Sequence, residues 1–405
     1  MHLLYLTSNL PFPLMAGHLR YYHFMRELAA RHSITLLSLT GADFRPEHAR
    51  AFDGIATVRT FPRADEAHLL GRVFKEDVRL FWAIEPAMRA LREAAREEAA
   101  ARRVDACVIC GKRVLAAALA LRGIPLVADV CDAESLRVEA RLRHARLFDR
   151  PRLLAGRELL RRMERAVARR ADRLLFAAPR DRDAVVRPTD PRAVILPNGV
   201  DAQWWHRRTA ERGPGTLVFT GAMHYRPNAD AALRLVRDIL PRVRRRVPDA
   251  RLLIVGRNPS AELLAAGRQP GVTVTGLVED VRPFLEEATV FVAPLRWASG
   301  IQNKVLEAMA MELPVVTSSA AADGLFAADG ERPPIDVVDD DDGLAAAAVR
   351  RLEENDRTPV AEVRRFVERH FSWRTHGLRL ERVLQDAVDA TAPGAGTSGR
   401  DPSGA

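Results

Sequence analysis

The chain has 405 residues, 47% hydrophobic and 28% charged, a globular composition with room for two domains of ordinary size. No apolar run approaches the ~18 residues of a membrane span, and three cysteines cannot build a disulfide framework. A net charge of +9 suits nucleic acid, anionic lipid or phosphorylated substrates.

The first residues, Met1 to Ser8, lack a basic segment followed by a small-residue cleavage site, so they read as a strand of a cytoplasmic protein and not as a leader. Strand and helix patterns then alternate, which predicts parallel sheets with crossover helices. Strands are expected at Leu3–Thr7, Ile34–Leu39, Thr57–Phe61, Ala106–Ile109, Leu126–Asp129, Leu174–Ala177 and Val194–Leu196. A helix from Leu19 to Arg31 carries Leu19, Tyr22, Met25, Leu28 and Ala29 at helical spacing. After Asn198-Gly199 and a polar stretch ending in Gly213-Pro214-Gly215, the scheme repeats. Strands are expected at Thr216–Thr220, Arg251–Val255, Val272–Thr275, Val290–Ala293, Val315–Ser318 and Ile335–Val338. Two tandem Rossmann-like domains follow: residues 1–200, a linker at 201–215, and residues 216–372. A helix at 373–390 and a disordered Gly/Ser/Pro-rich tail at 391–405 complete the layout.

Cys107-Val-Ile-Cys110 has the spacing of a redox motif, but it lies inside an apolar strand and reads as small buried residues. The four aspartates at 339–342 precede a helix and favour its dipole, a simpler reading than a cation site. Arg137 to Arg187 is dense in arginine. It reads as one or two solvated helix faces, or as a surface for anionic membrane lipid or a lipid-diphosphate acceptor.

The segment from Trp297 to Val316 carries the most chemistry. A buried strand, a glycine-containing loop and a helix form an anion site, because the first N–H groups of a helix have no partners within it. Lys304 and Glu307, three apart, share one face of that helix. A cation beside a carboxylate suits a diphosphate next to sugar hydroxyls. Lysine is rare here, at 75, 112 and 304 only, among 62 basic residues. A compact ammonium meets one phosphate oxygen as a point charge where arginine would present a fork. Ser299 and Gln302 fit a capping box with Ser299 as N-cap. Gly17 lies between the first strand and the first helix, where a glycine lets backbone approach a phosphate or sugar. Gly221 to Asn228 follows the first strand of the second half, with Arg226 as a cation and Asn228 as the cap of the next helix. Val255-Gly256-Arg257 and Gly276 to Asp280 end two further strands, with Asp280 read as a helix cap. Asp129, Asp132 and Glu134 cluster after a first-domain strand, where carboxylates close together raise each other's pKa.

These motifs resemble the family-4 retaining glycosyltransferases of GT-B fold, in layout over nearly the whole chain and most specifically in the second half. The resemblance implies two Rossmann-like domains facing across a cleft, with the last helix returning to the N-terminal domain. Those enzymes carry two glutamates spaced E-x7-E: Glu307 matches the second, which holds the nucleotide ribose, and Ser299 stands where the first contacts the donor sugar. Cys131 stands where many relatives have a histidine. By the same resemblance Lys304, Arg226 and Asp132 are the catalytic candidates. Gly17, Gly221, Arg257, Ser299, Gly300, Ile301 and Glu307 are the donor-binding ones. The expected partners are a nucleotide-diphosphate sugar and a glycan, lipid-linked or small-molecule hydroxyl acceptor, with no metal and no resident cofactor. Contact with the anionic inner membrane face is a further expectation. A nucleotide-sugar 2-epimerase shares this architecture and is the alternative. A nucleic-acid-binding protein fits the charge but lacks a helix-turn-helix, RNP or zinc pattern.

Overall fold

The computed structural model describes residues 1–12, 17–63, 86–143, 145, 147–209, 215–298, 300–326, 330–354 and 360–391. By internal contact the chain divides after Leu196 and again after Thr375. One unit joins Met1–Leu196 to the chain from His376 onward, and the other is Pro197–Thr375.

The first unit holds a seven-stranded sheet of β1 (His2–Thr7), β2 (Ser33–Thr40), β3 (Thr57–Pro62), β4 (Ala106–Cys110), β5 (Leu126–Cys131), β6 (Arg173–Phe176) and β7 (Ala193–Ile195). Their order is β3-β2-β1-β4-β5-β6-β7. The second unit holds β8 (Thr216–Thr220), β9 (Arg251–Val255), β10 (Val272–Val274), β11 (Val290–Ala293), β12 (Val315–Thr317) and β13 (Asp336–Val337), ordered β10-β9-β8-β11-β12-β13. Every pairing between these strands is parallel. Both sheets are therefore doubly wound, with the chain leaving in opposite directions on either side of β1 and of β8. That reversal opens a crevice beyond the carboxyl ends of the strands, the usual place for a ligand.

Burial on both faces explains why the strands read as continuous apolar runs. β4, β5, β8, β11 and β12 are buried at every residue. In the first unit Met88, Leu91 and Ala95 of the Pro86–Ala101 helix pack on Leu37, Leu39, Ile109 and their neighbours. The Trp373–Thr391 helix is tied to this unit from His376 on. Glu381 pairs with Arg31 at 2.7 Å and His32 at 2.8 Å, and Arg379 donates to the Ile195 carbonyl at 3.2 Å. In the second unit the rings of Phe219 and Phe291, from the neighbouring central strands β8 and β11, meet tilted at 6.3 Å.

Cys107 and Cys110 are fully buried in β4, and burial pushes both thiols well up, so they are packing residues. The aspartates at 339–342 are engaged in the fold. Asp341 pairs with Arg234 at 2.6 Å and Asp342 with Arg242 at 2.7 Å. Asp339 accepts from Ser319, and Asp340 accepts the Gly343 N–H at 2.7 Å. The helix begins at Asp341, two residues before the expected start, with Asp341 and Asp342 inside its first turn.

Candidate active site

In the second unit the loops after β8, β9 and β11 meet where the strand order reverses. Gly256, just past β9, sits at φ 149°, and a Cβ there would lie 1.8 Å from the Gly221 carbonyl oxygen. The two backbones are thus in contact and only glycine fits. The Gly221 N–H reaches the Val255 carbonyl at 3.0 Å, and the Met223 N–H reaches that of Arg257 at 2.9 Å. These bonds fix the turn that carries Gly221. A Cβ on Gly221 would meet Asn228 Nδ2 at 2.7 Å and Lys304 Nζ at 3.3 Å. Gly221 leaves open the space above a lysine.

Lys304 belongs to the Asn303–Ala310 helix, which buries Val305, Leu306, Ala308, Met309 and Ala310 and turns Lys304 and Glu307 away from that apolar face. Gly300, buried at φ 63°, makes the left-handed turn that leads into the helix, and Ile301 is buried beside it. The far end is closed by Arg364, whose Nη1 donates to the Ala310 carbonyl at 2.7 Å, a cation at the negative pole of the helix. Lys304 Nζ donates to Asn228 Oδ1 and stands 5.0 Å from the Phe219 ring centroid. Asn228 is buried, and its Nδ2 donates to the Ala222 carbonyl at 3.1 Å, which fixes the amide oxygen toward the lysine.

Lys304 and Glu307 are half-buried, and each is moved toward neutrality by burial. Lys304 falls to about 8 despite the favourable charge of Glu307, and Glu307 rises to about 7 despite that of Lys304. Among the described residues no hydrogen bond reaches the Glu307 carboxylate. A dianionic ligand would restore charge to Lys304, and hydroxyl donors would stabilise ionised Glu307. The pair is built to receive both.

Other expected residues fall nearby in the fold. Arg226 is exposed and is the first residue of the Arg226–Arg234 helix, beside the Gly221 turn. Arg257 is half-buried and lends its carbonyl to that turn. Ser299 lies outside the described residues. Two expected caps are corrected. Gln302, not Ser299, is the N-cap of the Asn303–Ala310 helix, so the capping-box register does not hold. Asn228 lies inside its helix, whose N-cap is Tyr225; Pro227 already stands in the first turn, and the Asn228 amide serves Lys304 instead. Asp280 accepts the Arg282 N–H at 2.9 Å, at the start of the Arg282–Glu287 helix, from the position before the N-cap.

In the first unit Gly17 begins the Gly17–Ala29 helix. Arg20, three residues on, was not singled out by sequence. It is 1% exposed, with Nε donating to both Asp129 oxygens at 3.0 and 2.8 Å and Nη1 to the Leu196 carbonyl at 2.7 Å. Burial pushes the Asp129 carboxyl up, against the pull of Arg20. Two residues further, Cys131 takes the left-handed conformation at φ 58°, beside a register shift in the β5–β6 pairing. Such strain in a non-glycine residue persists only where its surroundings enforce it. It presents Asp132, whose Oδ1 is buried with no hydrogen-bond partner among the described residues. Lys112, also passed over in the sequence, is buried between Glu164 at 3.3 Å and Glu134 at 3.5 Å. Burial would raise Glu134, but Lys112 and Arg137 hold it below the ordinary value.

Comparison with known proteins bears on the second unit first. Residues 214–355 match the family model described as Glycosyl transferases group 1. The matched residues make up most of the second unit. That segment spans β8 to the Asp341–Glu354 helix and contains Gly221, Gly256, Lys304 and Glu307. A phosphatidyl-myo-inositol mannosyltransferase of Mycolicibacterium smegmatis is 32% identical over 208 residues, covering 49% of this chain and 53% of that protein. The chain thus spans about half the length of this curated relative. Among solved structures, HepE of Anabaena, in complex with UDP and glucose, superposes with a TM-score of 0.68 at 14% identity. That match covers 95% of this chain and 100% of HepE. Sucrose-phosphate synthase of Thermosynechococcus elongatus gives a TM-score of 0.69 at 18% identity, over 96% and 100%. At such identities the likeness is one of fold, and the fold is GT-B.

Proposed function

We propose that the protein is a retaining glycosyltransferase. It would move a sugar from a nucleotide-diphosphate donor to a glycan, lipid-linked or small-molecule hydroxyl, in polysaccharide or cell-envelope biosynthesis. The observation that carries this reading is the Lys304–Glu307 pair. Both groups are shifted toward neutrality beyond the carboxyl end of a parallel sheet, inside the segment that matches glycosyltransferases. Neighbours of the same fold were solved with UDP and with UDP-glucose, which supports a nucleotide-sugar donor.

In this reading Gly221, Gly300, Ile301 and the first N–H groups of the Asn303–Ala310 helix bind the diphosphate, and Glu307 accepts the ribose hydroxyls. Arg257, Gly17 and Ser299 complete the donor contacts. The bond from the anomeric carbon to the diphosphate breaks, and charge grows on the leaving oxygen. Lys304 and Arg226 meet that charge, so no metal and no resident cofactor are required. The acceptor oxygen bonds to the anomeric carbon on the face the diphosphate leaves, its proton passing to a donor phosphate oxygen. Asp132 takes the acceptor side as a hydroxyl clamp. We place the activity in the cytoplasm, at or near the inner membrane face.

A thermal-shift screen over UDP-, GDP-, ADP- and dTDP-sugars tests the reading. A true donor stabilises by about 2.7 kcal/mol at a hundred times its dissociation constant. No shift with any of them sinks the proposal. Turnover of a stabilising sugar into its isomer, without transfer, moves the assignment to the epimerase.

A further inference from the structure

The arginine-rich part of the first unit presents an apolar tip that neither fold nor donor site uses. Leu147 and Phe148 form a single 3-10 turn ahead of the Arg150–Arg170 helix. Phe148 is 96% exposed and Leu147 75%, with Leu154 of the next turn at 45%. Three large apolar side chains within eight residues are costly to leave in water. Basic residues flank them. Between 141 and 170 the chain has eleven arginines and three carboxylates. Two of those carboxylates are taken: Glu158 pairs with Arg162 and Glu164 with Lys112. Arg141, Arg150 and Arg152 are exposed and have no carboxylate partner among the described residues.

We propose that this tip is a docking surface for an anionic lipid bilayer, with Phe148, Leu147 and Leu154 entering the acyl boundary and Arg141, Arg150 and Arg152 lying among the phosphates. The charge decides between a bilayer and a protein partner. A protein interface excludes isolated charges from its apolar centre, whereas a headgroup layer supplies anions beside apolar side chains that enter the acyl boundary. The proposal deepens the reading above by naming where the protein meets the membrane, and it is tested without any glycosyl transfer.

The full chain is co-sedimented with vesicles of phosphatidylcholine, alone or mixed with phosphatidylglycerol. It should pellet with the mixed vesicles only, and less at high salt. Phe148→Ser with Leu147→Ser should lower the partition coefficient roughly tenfold or more. Arg150→Gln and Arg152→Gln should each lower it about fivefold. All four positions are exposed, so the variants should keep the parent melting temperature and any response to nucleotide-sugars. Absence of binding to the mixed vesicles, or undiminished binding by the Phe148/Leu147 variant, overturns the proposal. So does a dimer in light scattering that Phe148→Ser dissolves, since the tip would then cover a second copy of the chain. Failure of the glycosyltransferase reading shows separately, as the absence of a donor-induced thermal shift.

Discussion

The shifted pair at the Asn303–Ala310 helix makes donor affinity depend on pH in two directions. Glu307 ionises at about 7, above its ordinary 4.5, and Lys304 at about 8, below its ordinary 10.5. The signs are opposite in origin and alike in consequence. The contribution of Glu307 to the stability of the empty protein is present below the ordinary carboxylate value and lost as pH rises toward 7. That of Lys304 is present above the ordinary lysine value and lost as pH falls through 8. Between about 7 and 8 the empty site carries both charges at a cost, and a ligand that pairs with both relieves it. If ribose hydroxyls require ionised Glu307, only about 1% of the site is competent near pH 5, so affinity should be about a hundredfold weaker there than above pH 7. Above pH 8 it should fall by up to about tenfold per pH unit as Lys304 loses its proton. Calorimetric titration with UDP-glucose follows this, since its diphosphate diester does not itself titrate in the range; another nucleotide-sugar serves if the screen selects it. The acid limb should vanish in Glu307→Gln and the alkaline limb in Lys304→Met. A dissociation constant that changes by less than about threefold between pH 5 and 7 refutes the assignment of Glu307. An identical profile in Glu307→Gln does the same.

Glu307→Ala should weaken donor binding by about 1.5–3 kcal/mol, the range for hydrogen bonds to a charged group, whereas an ordinary surface pair would cost about 0.2–0.5 kcal/mol. Lys304→Ala should lower kcat more than it raises the donor KM, and Lys304→Arg should not restore it, because a planar fork cannot replace a compact ammonium at one phosphate oxygen; equal kinetics in Lys304→Arg count against this. Gly256→Ala should cost about 2–4 kcal/mol in denaturant unfolding, because its Cβ would strike the Gly221 carbonyl; a loss below about 1 kcal/mol means the two turns separate freely. Arg20→Met should cost about 3–5 kcal/mol by stranding Asp129, and Arg20→Met with Asp129→Leu should recover most of it; a double variant no better than the single one denies the pairing. Transfer should persist in EDTA, and activity lost there and restored by magnesium or manganese would reverse the metal-free assignment.

The thirteen strands of the described residues were legible because parallel sheets bury both faces of each strand, leaving apolar runs with polar ends. Thr216–Thr220, Arg251–Val255 and Val290–Ala293 agree with the structure at both ends, and the others differ by one or two residues. Lys304 and Glu307 were visible as a local motif, and so was the glycine turn at Gly221. What escaped was long-range and polar. Asn228 and Lys304 are 76 residues apart, Arg20 and Asp129 are 109 apart, and Lys112 meets Glu164 across 52. None of these partnerships leaves a periodic trace, since each side chain sits in a segment that its own neighbours already explain. Asn228 illustrates the error this causes. Read locally, a residue of that type near a helix start is a cap; in the fold its amide serves a lysine that follows the neighbouring strand, β11. The capping box failed for a related reason. Its register assumed that the helix begins as early as the sequence allows, but the left-handed turn at Gly300 delays the start to Asn303.

Two ion-pair arrangements in the same chain separate structure from function. Arg20 and Asp129 hold each other: three guanidinium contacts at 2.7–3.0 Å reach fixed acceptors within one unit. Each charge has its counter-charge within the fold, and removing either partner would leave a bare buried charge. Lys304 and Glu307 are the reverse. Among the described residues one amide oxygen, from Asn228, reaches the pair, and the two groups pay for burial with displaced ionisation. Gly221 then withholds the one side-chain atom that would cap the lysine. A sequence selected for stability alone would fill that space or neutralise the pair, at a gain of a few kcal/mol. Keeping both charges under-solvated makes sense when their missing partners arrive with a ligand. A diphosphate beside ribose hydroxyls supplies the anion for one and the donors for the other.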